Sequence, residues 1–268
     1  IQGFGTISAV LPEARSDYRA LQARLEYRAS ALNLLNSFTW SHARDTVSQV
    51  LEEPNGSSGT PQNVYDIDAD FGTSAYDVPL LNVTSFVWQL PFGRGQRFGS
   101  GMSALLDAVV GGWQLSGIHT MRSGRTVNLV YNTSGPTAVT SGLPTFLGGV
   151  RLRPNLNGDP LAPESERSIN NYFNRDNVIL PSATAPFGNS PRNPVRGYPF
   201  YQLDLRVQKR FPLPLRDSAA LEVQVEGFNV LNKTNFGTPN GDRSSNAFGT
   251  IRSTFPARQL QLAAKLVF

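Results

Sequence analysis

The chain has 268 residues, of which 40% are hydrophobic and 16% charged, with 24 glycines, 19 prolines, no cysteine and a formal net charge of +4. That length holds one large all-β domain or two ordinary ones, the charged share lies below the roughly 25% of soluble domains, and the Gly and Pro content favours turns over helices. Absence of cysteine removes disulfide frameworks, thiolate metal sites and cysteine nucleophiles, no basic cluster of nucleic-acid type occurs, and no apolar run reaches the roughly 18 to 20 residues of a membrane helix.

The opening "IQGFGTISAV" lacks both an initiator Met and a signal-peptide pattern, so the chain reads as a mature product or a fragment. That stretch can form a first strand, its glycines relaxing the twist. In "LQARLEYRA", Leu21, Ala23, Leu25 and Tyr27 face one way and Gln22, Arg24, Glu26 and Arg28 the other. Residues 31–42, 78–92 and 112–131 alternate less cleanly, with both faces partly apolar. "SALLDAVVGG" at 103–112 predicts a short helix stopped by its glycines.

Alternation returns in "YQLDLRVQKRF", where Asp204, Arg206, Gln208 and Arg210 oppose Tyr201, Leu203, Leu205, Val207 and Phe211. "ALEVQVEGF" sets Glu222, Gln224 and Glu226 against Leu221, Val223 and Val225. The closing "RQLQLAAKLVF" carries Leu260, Leu262, Ala264, Leu266 and Phe268 on one face. These stretches predict about eight strands. A soluble sandwich yields the same alternation as a membrane barrel, so pattern alone leaves both open.

Spacing separates them. Shorter connections at 29–31, 92–111 and 212–218 alternate with longer ones at 43–77, 132–200 and 232–257, the pattern of a barrel with turns at one end and loops at the other. The long connections are rich in Gly, Pro, Asn and Ser, so no regular core is expected within them. Aromatic residues gather near the strand ends, at Trp40, Trp88, Trp113, Phe211 and Phe268 among others, which suits membrane interfaces and equally a sandwich core.

Several chemical readings carry little weight. "DIDADFGTSAYD" puts Asp66, Asp68, Asp70 and Asp77 at positions 1, 3, 5 and 12 of a calcium-loop pattern, but Phe71 stands where glycine is required. Gly93, Gly95 and Gly99 in "PFGRGQRFG" are spaced one residue too widely for a dinucleotide fingerprint; a turn is expected. His42 and His119 have neither metal-ligand spacing nor a nucleophile motif beside them. Glu222 and Glu226 find salt-bridge partners in Arg206 and Arg210 on the preceding strand, so no catalytic residue, metal or cofactor is expected.

Together, "SDYRALQARLEYR", "SFTWSHARD", "VYDIDADFG", "WQLPFGRGQRF", "GGWQLSGIHTMRSGR", "FGNSPRNPVRGYPFYQLDLRVQKRF", "VEGFNVLNKTNFGTP" and "ARQLQLAAKLVF" resemble the C-terminal part of TonB-dependent outer-membrane receptors. The Oar-like branch, whose full-length members carry a carboxypeptidase-regulatory-like N-terminal domain, is the nearest likeness. The resemblance implies all-β, antiparallel up-and-down strands belonging to a 22-stranded barrel with long extracellular loops, in the bacterial outer membrane. Residues 1–268 are expected to form a single barrel segment without the plug through which TonB acts.

It further implies contact with outer-membrane lipid, an extracellular ligand that the loops do not identify, no nucleic-acid partner, and lumen-facing charges at Arg24, Arg28, Asp204, Arg206, Arg210, Glu222 and Glu226. Gln261, Leu266 and Phe268 match the signal read by the barrel-assembly machinery, with Ala263 where glycine is usual. Two alternatives stay open: a small non-transporting outer-membrane barrel or adhesin, and a soluble all-β binding module.

Overall fold

A pleated chain presents successive side chains to opposite faces, and in the computed structural model the alternating stretches are strands. Residues 12–48, 61–132, 151–213 and 219–268 are described. In chain order come β1 (Ser16–Arg28), β2 (Leu32–Asp45), the two-residue β3 (Gly72–Thr73), β4 (Leu80–Gln89) and β5 (Trp113–Arg122). Six two-residue strands follow: β6 (Thr126–Val127), β7 (Tyr131–Asn132), β8 (Arg151–Leu152), β9 (Asn155–Leu156), β10 (Val178–Ile179) and β11 (Val195–Arg196). The long strands β12 (Phe200–Pro212), β13 (Ala220–Phe228) and β14 (Gln259–Val267) complete the chain.

One antiparallel sheet runs β1-β2-β4-β5-β12-β13-β14, with β3 attached to the end of β2. Every long strand pairs with the next in sequence, so the sheet is an up-and-down meander. Its long strands have 9 to 14 residues, enough for the roughly 9 to 11 that a tilted membrane strand needs. Seven long strands therefore stand where about eight were expected; the eighth, at the opening, lies outside the described residues.

The expected strand over 112–131 ends at Arg122. Ser123 donates its amide to the Leu80 carbonyl at 2.9 Å, and Gly124 packs so closely on Gly197 that a Cβ would collide with the Gly197 carbonyl. The chain must bend there and leave the sheet.

Directly opposed residues share a face, which lets the register sort the side chains. One face carries Leu25, Leu34, Phe86, Leu115, Leu205, Val225 and Leu262, linked pair by pair or through neighbours across the strands. Gly117 sits within it, and the Phe86 and Leu205 side chains occupy the space a Cβ would fill. The opposite face carries Arg24, Ser85, Ser116, Arg206, Glu226 and Gln261. Apolar side chains of the first face stay open to the surroundings; Leu262 is 78% exposed.

At the short-turn end, residues 90–112 fold into a glycine-shaped loop and α1 (Ala104–Val110). Gly93, Gly95 and Gly99 all take positive φ, as turn glycines do. Ser103 caps the helix by accepting the Leu106 amide. At its other end Lys209 donates to the carbonyls of Val109 and Gly111, a cation placed where the helix dipole is negative, and lies over the Trp113 ring at 5.1 Å.

Among the described residues, the long connections hold a buried apolar cluster, which corrects the expectation that they lack one. Val127, Leu129, Tyr172, Phe173, Val178, Val195, Phe248 and Ile251 are buried together. Short ribbons β6–β11, β7–β8 and β9–β10 frame them, and the Tyr172 and Ile251 amides bond across segments to Gly249 and Ile169. Composition misled because the cluster is assembled from residues scattered singly or in adjacent pairs over 127–251, with turn-forming residues between them.

Candidate functional site

Two polar assemblies emerge from this arrangement: a charged concave face on the sheet, and a set of arginine clamps that fasten the long connections to it.

On the concave face, β1 curls far enough round that Arg24 and Arg28 line the same groove as Asp204, Arg206 and Glu226 of β12 and β13, a cavity of about 680 Å³. Arg24 and Arg28 both grip Glu26 of their own strand. Across β12 and β13, Arg206 stands directly opposite Glu226 and Arg210 opposite Glu222; the Arg206 Nε to Glu226 Oε1 distance is 3.6 Å. Arg206 also donates to Gln208 Oε1 at 2.6 Å. Asp204 accepts from Gln202 Nε2 at 2.9 Å and from the Asn229 amide at 2.8 Å, so it joins the concave face to the turn after β13. Such partly exposed pairs contribute little stability each, about 0.2 to 1 kcal/mol; their consistent placement is what marks the face as polar.

Gln261 faces the same side as Glu226, its direct partner, while Leu266 lies on the apolar face opposite Leu221. Phe268 follows β14 and is open to the surroundings.

At the long-connection end, three ion pairs with buried carboxylates tie segments together. Arg153 pairs with Asp70 and also donates to Ser190 and Ala69 carbonyls. Arg192 pairs with Asp45 at 2.7 Å and donates to Ser48 Oγ. Arg196 pairs with Asp77, whose other oxygen accepts the Ala43 amide of β2 at 2.6 Å. Each carboxylate is saturated by a guanidinium and a further donor, the condition under which a buried pair is tolerated.

The calcium-loop candidates are therefore dispersed. Asp66 caps a single 3-10 turn by accepting the Ala69 amide, and Asp68 meets Arg15 at 3.1 Å in the open. Asp70 and Asp77 serve two different clamps. Among the described residues no three His, Asp or Glu side chains converge to hold a metal. His42 lies 3.5 Å from Asp77 on β2, and His119 stands opposite Thr84 and Leu203 on the apolar face.

Sequence reasoning missed the three arginine clamps and two asparagines. Asn235 accepts the Tyr201 amide at 2.9 Å and donates to the Tyr201 carbonyl at 2.8 Å, standing in for a missing strand neighbour. Asn229, at φ 50, brackets the next turn through Lys233 and Pro256. The signal available for both was the run "FNVLNKTN", where asparagines cluster just past a strand; asparagine accepts such left-handed backbone more readily than most residues.

A sheet with one largely apolar, exposed face, one charged concave face, meander pairing and membrane-length strands defines a transmembrane β-barrel wall. The model of the family described as outer membrane beta barrel domain matches residues 1–261, and the chain belongs to that family. It resides in the bacterial outer membrane. No curated protein matches the chain.

Proposed function

We propose that the chain is a wall segment of a TonB-dependent receptor of the Oar-like branch, taking up a large extracellular solute. The observation that carries this reading is the separation of ends: the described parts of the long connections lie at one rim, over a concave face lined by Arg24, Arg28, Asp204, Arg206 and Glu226. In this reading that rim is extracellular and captures ligand, and the charged face lines the solute's route inside a barrel of about 22 strands.

TonB is reached only through a plug outside these residues, and Gln261, Leu266 and Phe268 engage the barrel-assembly machinery. No catalytic step, cofactor or nucleic-acid contact is assigned. Family membership is common to this reading and to a small non-transporting barrel or adhesin, while outer-membrane residence leaves the soluble module without support.

Refolding residues 1–268 alone in detergent distinguishes them. The receptor reading expects no compact, heat-modifiable monomer from this chain alone, and expects solute uptake by the full-length product to stop when the inner-membrane proton gradient is collapsed. A heat-modifiable monomer that inserts into bilayers and passes no solute would establish the small barrel instead.

A further inference from the structure

Arg122 and Arg125, at the long-connection rim, differ from the three clamp arginines. Arg153, Arg192 and Arg196 each have their own aspartate. Arg122 and Arg125 have no carboxylate partner among the described residues, although they lie close enough to repel one another. Both line a pocket of about 200 Å³ between the start of β12 and the β13–β14 connection, and among the described residues no acidic one lines it.

The two guanidiniums are held by aromatic faces rather than by counter-ions. Arg122 lies over Phe200, its direct partner in the register, at 4.8 Å, and over Phe255 at 5.8 Å. Arg125 lies over Phe255 at 5.9 Å, and Phe200 and Phe255 meet edge to face at 5.0 Å. Stacking fixes the plane of a guanidinium and leaves its N–H edge free to donate. The backbone is equally set: the Arg125 carbonyl accepts the Gly197 amide at 2.9 Å, and Thr126 continues directly into the β6–β11 ribbon. Thr238, Ser253 and Thr254 also line the pocket.

We propose that this pocket binds an oxyanion, a carboxylate or phosphate group carried by the solute. Two neighbouring forks of N–H donors match the two or more oxygens of such a group, and the ligand's charge relieves a repulsion that no carboxylate among the described residues compensates. Arg122 projects to the concave side of the sheet, as Ser116 and Ile118 do, so a soluble group arriving from the rim reaches it, and a lipid headgroup on the apolar face does not.

The inference rests on the receptor reading only in taking this rim as the solute-facing one, and its test is independent of transport. Full-length product extracted from outer membranes into neutral detergent is titrated calorimetrically with inorganic phosphate, with glucuronate, and with glucose as the uncharged control. Expected is binding of phosphate or glucuronate but not glucose, weakened tenfold or more in Arg122→Gln/Arg125→Gln and measurably in Arg125→Gln alone, whose side chain is exposed and whose loss does not endanger folding. Binding by neither anion, equal binding of glucose, or unchanged affinity in both variants overturns the pocket. Binding seen only when anionic phospholipid is added to the micelles overturns the soluble-group assignment. Gradient-dependent uptake that persists unchanged in the double variant would leave the receptor standing while the pocket, if its binding also failed, falls.

Discussion

The barrel wall and the cap formed by the long connections solve the same problem in opposite ways. In the wall, large apolar side chains point outward, and strand pairing rather than a buried core holds the sheet; Leu260 and Leu262 are among its most open residues. In the cap, apolar residues turn inward on one another, with Phe173 T-packed on Tyr172 and tilted on Phe248 at 5.2 Å, and charges are paired and buried. The wall is a membrane structure whose solvent on one side is lipid. The cap is organised as a small aqueous domain, built from connections that would otherwise pay the full entropic cost of long loops. The difference teaches that one chain of low charge can switch its packing rule at a strand end, and that the switch occurs where the clamps sit.

If the cap is a true hydrophobic domain, Phe173→Ala, at 2% exposure, destabilises it by about 3 to 5 kcal/mol. The chain's three tryptophans, Trp40, Trp88 and Trp113, lie in the wall strands, so their emission reads the wall while amide exchange reads the cap. Amide exchange in residues 126–132 and 172–178 should accelerate by two orders of magnitude or more, while tryptophan emission stays unchanged. Parallel loss of both signals would mean that wall and cap unfold as one unit.

The clamps test the boundary. Asp70→Ala leaves the Arg153 guanidinium buried with carbonyls alone, and loss of one partner from such a pair costs about 3 kcal/mol or somewhat more. Exchange should rise in both segments that Asp70 joins, around Gln62, whose amide it accepts at 2.7 Å, and around Arg153. An effect confined to Asp70's own segment would show that the clamp does not couple them. On the wall, Leu262→Arg should cost about 2 to 4 kcal/mol in a bilayer if it lies near the midplane, against almost nothing for Leu262→Gln assayed in detergent micelles that can rearrange. A small bilayer penalty would contradict the assignment of that face to lipid.

Legibility in the sequence followed the same division. The wall could be read because each strand states its own two-residue period: the stripes of β1, β12, β13 and β14 and the facing of Arg206 towards Glu226 needed only local pattern and one register. The cap could not, since Leu129, Tyr172, Val195 and Ile251 are brought together by four separate segments with no period of their own. The arginine clamps were hidden for a related reason. "SPRNPVR" reads as a proline-broken loop, and nothing local says that Arg192 will reach Asp45 or that Arg196 will reach Asp77. The Asp-rich stretch drew attention to the right residues for the wrong chemistry, because carboxylates destined for guanidiniums and for a metal look alike until the partners are placed.

The smallest expected effect probes the cap from its acid–base side. Tyr131 is fully buried, donates its hydroxyl to the Pro186 carbonyl at 2.6 Å, and burial pushes its phenol up to about 12. An unfolded tyrosine ionises near 10, so the folded cap binds this proton more tightly than the unfolded chain does. The associated stability is fully present below about pH 10 and is lost as the pH climbs through about 12. Tyr131→Phe removes the hydrogen bond and the titrating group together, costing about 1 kcal/mol at neutral pH through the unpaired Pro186 carbonyl. Its cap stability should then decline less steeply between pH 10 and 12 than that of the wild type, as followed by exchange or proteolysis of the cap. An identical alkaline slope in the two proteins would place the cap's alkaline sensitivity on Tyr172, the other phenol whose ionisation burial opposes, rather than on Tyr131.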